Sequence, residues 1–356
     1  MTGLHDAAIL AAVVTLDERL DGLIGQIDGW IRPYLERPDN PAARFYQMMA
    51  YHHGWVAADG TPLDPPARTG KRIRPILAIL TCEAFGGTIE DVKGPAAAIE
   101  LIHNFSLVHD DIQDVSDQRH NRDTIWRLWG SAQGINAGDA LFALAQVALV
   151  EHTAAHPRLA EGVLRLNRTC VRLVEGQYLD LALESAADVT YDQYEQMIAR
   201  KTAALLSCSA SLGAWAAYAS EPYIEAASAF ARELGIAFQL QDDLLGVWGD
   251  PKVTGKPARD DVRSRKKALP MVLAAQMAAG GMRDELVAIL HAPTPPDEPT
   301  VDRVVRMMEQ LGVRDEVGKM VHARFAQAEH LLDEALPAGQ DGPIRELFGK
   351  LRVRDY

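Results

Sequence analysis

Helical periodicity constrains this chain more than any other feature. Apolar residues, many of them Ala and Leu, recur at three- and four-residue spacing over 5–36, 75–85, 95–118, 135–153, 158–183, 191–219, 222–248, 267–277 and 301–335. That is the period of one helical face. Strand-like alternation of Val, Ile and Thr is almost absent. Pro and Gly clusters separate the segments at Arg37 to Pro41, Gly60 to Pro66, Gly280-Gly281 and Ala292 to Pro296, as expected of helix breaks. The pattern predicts an all-α chain, a single large bundle over 1–356. Within it we expect an N-terminal helix and long loop (1–68), a motif-bearing core (69–270) and C-terminal helices (271–356). Residues 37–67 read as a loop with one helical turn.

The apolar fraction of 48% beside 24% charged residues is that of a globular protein. Thr202 to Ser220 is the one uncharged stretch near the roughly 18 residues a membrane span needs. Its serines (Ser207, Ser209, Ser211, Ser220) and Gly213 weaken it, so a buried core helix is expected and no span. The first residues lack the basic start of a signal peptide. Cys82, Cys170 and Cys208 sit far apart in apolar sequence with no zinc spacing, as reduced core thiols of a cytoplasmic protein would. A net charge of −13 argues against nucleic acid as a partner. In so acidic a chain the basic run Lys71, Arg72, Arg74 marks a local anion site, and Pro75 puts it at a helix N-terminus.

Two acidic clusters interrupt the apolar pattern: Asp110-Asp111-Ile-Gln-Asp114 and Gln239-Leu-Gln-Asp242-Asp243. Residues four apart share a helical face, so Asp110 and Asp114 point the same way, as do Gln239 and Asp243. Two carboxylates about 4 Å apart repel by roughly 4 kcal/mol at an effective dielectric near 20. No Lys or Arg follows either cluster within a turn. A hard divalent cation would relieve the repulsion, and an all-oxygen set suits Mg²⁺. Two such clusters facing each other across a bundle would clamp a Mg²⁺-bound diphosphate. His103, Leu107, Asp110 and Asp114 lie on one stripe of the first helix. The pair Glu100 and His103 has the spacing of a di-iron carboxylate motif, but such sites need a second pair, and the chain has none.

Six elements in order resemble the trans-isoprenyl diphosphate synthase (polyprenyl synthetase) family: Gly70-Lys-Arg-Ile-Arg-Pro75, Asp110 to Asp114, Gly138-Asp-Ala-Leu141, Gly176-Gln-Tyr-Leu-Asp180, Lys201-Thr202, and Gln239 to Asp243 followed by Gly255-Lys256 and Lys266. The likeness runs from about Thr69 to Pro270. It implies the isoprenoid synthase bundle with a central substrate cavity. It also implies a Mg²⁺-dependent transferase that joins an allylic diphosphate to isopentenyl diphosphate, with three ions per site once substrate is bound, and a homodimer. By resemblance Asp110, Asp114 and Asp242 ligate metal, with Asp111 and Asp243 in support. Lys201, Lys256 and Arg119 hold the allylic diphosphate; Lys71, Arg74, His103 and position 120 hold isopentenyl diphosphate. Lys266, a lysine of the second motif, also binds substrate, and Thr202 and Gln239 line the path of the allylic cation.

Three features depart from the family pattern. His120 stands where an arginine is usual, and a histidine lacks the bidentate fork; Arg122 is a candidate to compensate. Gly246 stands where an aspartate is usual, with Asp250 as a candidate substitute. The segment before Thr69 has no counterpart role. Product length is expected from the turn before Asp110, where bulk closes the tunnel of such enzymes. Phe105 is large and Ser106 small, resembling the pattern of twenty-carbon (geranylgeranyl) synthases. Two other readings share the fold: a terpene cyclase or irregular coupling enzyme, and a non-catalytic partner subunit of a synthase.

Overall fold

The structure, a computed structural model, describes residues 16–67, 69–184, 186, 188–250, 259–292 and 294–352. Its helices are α1 (Leu16–Leu35), α2 (Ala43–His52), α3 (Ile73–Ala84), α4 (Ile89–Gln113), α5 (Ile125–Trp129), α6 (Ser131–Thr153), α7 (Leu159–Glu184), α8 (Tyr191–Lys201), α9 (Ala203–Ala216) and α10 (Glu221–Trp248). After these come α11 (Asp260–Arg263), α12 (Leu269–Met277), α13 (Gly280–Leu290), α14 (Glu298–Gln310), α15 (Val313–Ala335) and α16 (Gly342–Arg352). The one sheet among the described residues is a small hairpin, β1 (Gln118–Arg119) with β2 (Arg122–Asp123), paired antiparallel. The all-α expectation is met.

Local chemistry places the helix ends. Thr88 and Asp91 form a capping box that starts α4 six residues before Pro95, where the apolar pattern alone had put the start. Thr190 and Gln193 do the same for α8, and Asp297 accepts from the Thr300 N–H at the head of α14. Two expected helices are each split in two. The stretch 191–219 breaks at Thr202 into α8 and α9, and 301–335 breaks at Gly312, whose φ of +72° ends one helix and leads into the next. The expected loop over 37–67 holds the ten-residue α2, which buries Met49, Ala50 and Tyr51 against the core. Seven of its ten residues are apolar, but the run is too short to display a helical period.

Helix α4 packs along α6 and α3, and α10 along α9 and α15. At the centre lies α9, all fourteen of whose residues are buried, which is why its sequence is apolar on every side. Its serines are satisfied within the protein: Ser209 and Ser211 donate to Leu205 and Cys208 carbonyls, and Ser207 donates to that of Ser228. Among the described residues no helix is long and apolar enough to cross a membrane. The three cysteines are free and buried.

The basic run before α3 divides by function. Arg72 is buried and ion-paired with Asp28 of α1 and Glu100 of α4, each at 3.2 Å, and it also donates to Thr69. Asn104 donates to the same Glu100. Arg72 is thus a structural bolt and Glu100 its counter-ion, not a metal ligand, while Lys71 beside it is exposed. Arg72→Met is expected to cost about 3–5 kcal/mol of unfolding free energy, because it strands two carboxylates. Lys71→Met should stay within about 0.5 kcal/mol; urea titration of both variants measures the contrast.

Candidate active site

The last turn of α4, the kink between α8 and α9, and the C-terminal half of α10 bring the two acidic clusters to one end of the bundle. Between them stand the cations that the local sequence lacked. Lys201 Nζ is 2.5 Å from Asp180 Oδ2 and 3.9 Å from Asp110 Oδ2. Lys266 is held in its charged form, well above the usual lysine range; burial opposes this, but the field of Asp243, Asp261, Asp180 and Asp242 outweighs it. The same lysine also favours ionisation of Asp114 on the opposite wall. The two acid walls therefore face each other across Lys201, Lys266 and Asp180. Gly176 makes this approach possible: a Cβ there would sit 2.2 Å from the Lys201 backbone nitrogen.

Within each adjacent pair, one carboxylate is committed and the other is not bound in the same way. Asp111 is 2% exposed and accepts from both Nε and Nη2 of Arg119 at 2.8 Å. Asp243, equally buried, accepts from Tyr194 (2.6 Å), Gln239 (2.8 Å) and the Leu269 N–H (2.8 Å), while Thr202 donates to Gln239 at 2.8 Å. These two acids orient their neighbours. Asp110, Asp114 and Asp242 are the less buried carboxylates of the two clusters. Desolvation pushes Asp110 up to about 6, with Asp114 and Asp180 adding to the effect and Lys201 and Arg119 opposing it. Among the described residues no three acidic, imidazole or thiol groups stand close enough to hold an ion by themselves. Asp110, Asp114 and Asp242 offer carboxylate oxygens alone, the donor type Mg²⁺ takes together with substrate phosphates.

A second cationic patch lies beside the first wall. Arg74 Nη1 is 3.2 Å from His103 Nε2, and the buried Arg74 Nε has no partner. Burial and the charges of Arg74, Arg119 and Arg72 hold His103 neutral, far below the ordinary histidine range. A guanidinium with a buried nitrogen left unbonded, beside a neutral imidazole that can donate, suits an anion. Lys256 lies outside the described residues.

His120 and Asn121, with φ of 51° and 59°, form the two-residue turn of the β1–β2 hairpin, a left-handed conformation. His120 is exposed at the rim. Arg122 does not take the place of the absent arginine: its guanidinium donates to the Tyr51 and Val56 carbonyls at 2.7 and 2.8 Å and stacks over the Tyr51 ring at 4.0 Å. Asp250 is exposed beyond the end of α10. The space a side chain at position 246 would fill is taken instead by Asp261, whose Oδ2 would lie 2.0 Å from a Cβ there. Sequence reasoning missed this acid, since its position depends on how α11 folds back on α10.

Phe105 meets Phe142 edge-on at 5.5 Å, and both line a cavity of about 850 Å³ with Cys170, Val171, Val174 and Leu179. Ser106 is turned away and donates to the His103 carbonyl at 2.8 Å. Phe142 carries no motif signal and went unnoticed in the sequence.

Two expectations follow. In the ligand-free protein Asp110 holds its proton more tightly folded than unfolded, so its charge destabilises the fold above its folded pKa. Asp110→Asn should then raise the thermal midpoint at pH 7–8 by the equivalent of up to about 3 kcal/mol. The gain should shrink as pH falls from about 6 and vanish below about 4; calorimetry across pH checks the slope. Gly246→Asp should destabilise the protein by 1–3 kcal/mol or more, as an overpacked site does, because Asp261 fills the place; Gly246→Asp combined with Asp261→Gly should recover most of the loss in a denaturant titration.

A family profile described as Polyprenyl synthetase matches residues 62–308. A (2E,6E)-farnesyl diphosphate synthase of Mycobacterium tuberculosis is 42% identical over 63% of this chain and 61% of its own length. The chain thus spans about three fifths of that relative. A geranylgeranyl diphosphate synthase of the same organism is 40% identical over 74% of this chain and 75% of its own. Among solved structures, a polyprenyl synthetase from Streptomyces coelicolor superposes with a TM-score of 0.87 at 34% identity, covering 95% of this chain and all of that one. With its aspartate walls, its basic run and these likenesses in agreement, the chain belongs to the polyprenyl synthetase family.

Proposed function

We propose that the chain is a Mg²⁺-dependent prenyltransferase that condenses an allylic diphosphate with isopentenyl diphosphate into a longer linear trans-prenyl diphosphate of twenty carbons. The observation that carries this reading is the pair of acid walls facing across Lys201 and Lys266. Mg²⁺, when bound, supplies charge neutralisation of the departing pyrophosphate. Asp110, Asp114 and Asp242 would hold it. Lys201 would leave Asp180 for the incoming diphosphate, and Arg119, fixed by Asp111, would bind the same group. As the allylic C–O bond breaks, these fixed cations meet the charge that develops on the leaving oxygens. The allylic cation is attacked by the isopentenyl double bond and a proton is lost. Thr202 and Gln239, locked together, present oxygen lone pairs along that path.

Arg74 and His103, with Lys71, give the second diphosphate its own seat. A cyclase works on one diphosphate and has no use for the second, so this patch favours elongation. The growing chain would enter the cavity behind Phe105, where Phe142 and Leu179 offer it an apolar wall. Relatives named for both farnesyl and geranylgeranyl products flank this choice; the size of the cavity supports twenty carbons.

A homodimer is part of the proposal. Ile135, Val147 and Val150 of α6 and Leu164, Val171, Val174 and Tyr178 of α7 are exposed, three of them (164, 171, 178) at seven-residue spacing. Such a row seeks a like surface.

Incubation with Mg²⁺ and dimethylallyl, geranyl or farnesyl diphosphate, with and without isopentenyl diphosphate, tests the reading by mass spectrometry. Longer linear diphosphates are expected only with both substrates; hydrocarbons or alcohols from the allylic substrate alone would point to a cyclase. Asp110→Ala should lower turnover at least a hundredfold, a loss of the order seen when one charge-stabilising group is removed. Phe105→Ala should shift the products to longer chains. Light scattering should give twice the 39.0 kDa of one chain, and Val171→Glu should halve it.

A further inference from the structure

The structure gives the segment before Thr69 a place at the site. Arg122 pins it there: the guanidinium is bonded to the Tyr51 and Val56 carbonyls, and the Tyr51 hydroxyl donates to the Asp123 carbonyl at 2.8 Å. The last residue of α2, His52, is thereby set against the hairpin. It lines a narrow cleft, about 20 Å³ in the ligand-free protein, together with Thr69, Asn104, Leu107, Arg119 and His120. Unlike its neighbour His53, which is buried against Trp55, it keeps a partly exposed ring and makes no hydrogen bond within the described residues. The helix that carries it ends at this point, and the ring stands near enough to His103 for its charge to be felt there.

We propose that His52 is a further diphosphate-binding residue on the isopentenyl side of the site, sharing with His120 the place of the arginine the chain lacks. The inference rests on the prenyltransferase reading above. A planar ring on a packed helix offers one N–H donor when neutral, and a second donor with a positive charge when protonated. The groups that face it are cationic or acidic as follows: Arg72 before α3, Arg119, His120 and Arg122 of the hairpin, His103 of α4, and the acid Asp123. With no anion present, burial and the positive neighbours push His52 down to about 3. A diphosphate seated among those cations reverses the sign of the local field and raises the ring back toward its ordinary value. Binding is then coupled to proton uptake, and affinity for isopentenyl diphosphate falls as pH rises.

The test uses the full-length protein and isopentenyl diphosphate in calorimetry, repeated in two buffers of different ionisation heat, beside steady-state kinetics. His52→Ala is expected to weaken isopentenyl diphosphate about tenfold and reduce the proton uptake at pH 7, while the KM for the allylic diphosphate moves less than about twofold. His52→Gln, which keeps a donor but cannot titrate, should recover part of the affinity and none of the uptake. Equal weakening of both substrates, with a lowered thermal midpoint, would reveal a packing role and overturn the proposal, as would unchanged affinity. A wild-type protein that binds no isopentenyl diphosphate and makes no longer product would instead sink the functional reading itself.

Discussion

Crowded negative charge at the end of α4 is the constraint the rest of the site answers. Three aspartates within five residues cannot all be ionised in a half-buried cleft without compensation. The chain supplies that compensation from elsewhere in the sequence: Arg119 from the hairpin, Lys201 from the kink after α8, Lys266 from beyond α11. The ligand-free site is therefore a balance of opposite charges held under tension. Asp110 keeps a proton affinity far from that of a free carboxylate, and Lys201 leans toward Asp180. A metal-bound diphosphate fits such a site because it brings positive charge to the acids and negative charge to the lysines in one step.

The same logic separates scaffold from chemistry among residues of like type. Arg72 and Arg74 are two positions apart, yet the first is spent on Asp28 and Glu100 while the second keeps a buried nitrogen without a partner. Asp111 and Asp243 carry the hydrogen bonds that hold Arg119, Gln239 and Tyr194 in place, which leaves Asp110 and Asp242 to the cleft. Arg122, which by position looked like a reserve ligand, is a clasp that fastens the N-terminal segment to the hairpin.

The parts of the site that are local to one helix were legible in the sequence. Asp110 and Asp114 announce a shared face because the helical period alone sets it, and the basic run announces a helix start through Pro75. The break at Thr202 was not legible: Lys201 and Thr202 sit inside unbroken apolar periodicity, and the chain bends there through packing against α7 at Gly176. Asp261 was invisible for the same reason, since it stands fifteen positions after Gly246 and reaches it only once α11 packs against α10. Helix α2 escaped notice because it buries only one end of a short amphipathic stretch. Phe142 lacked any motif, and only the angle between α4 and α6 brings its ring to Phe105.

Burial of α9 on all sides has a consequence for how such a protein can evolve. The rod that begins just after Lys201 cannot change volume at any position without disturbing a neighbour. On the prenyltransferase reading, variation in product would then fall on the walls around that rod, at α4 and α6, where a ring can be trimmed against open space. An axle that cannot vary, ringed by walls that can, would on that reading let product length drift while the chemistry stays fixed.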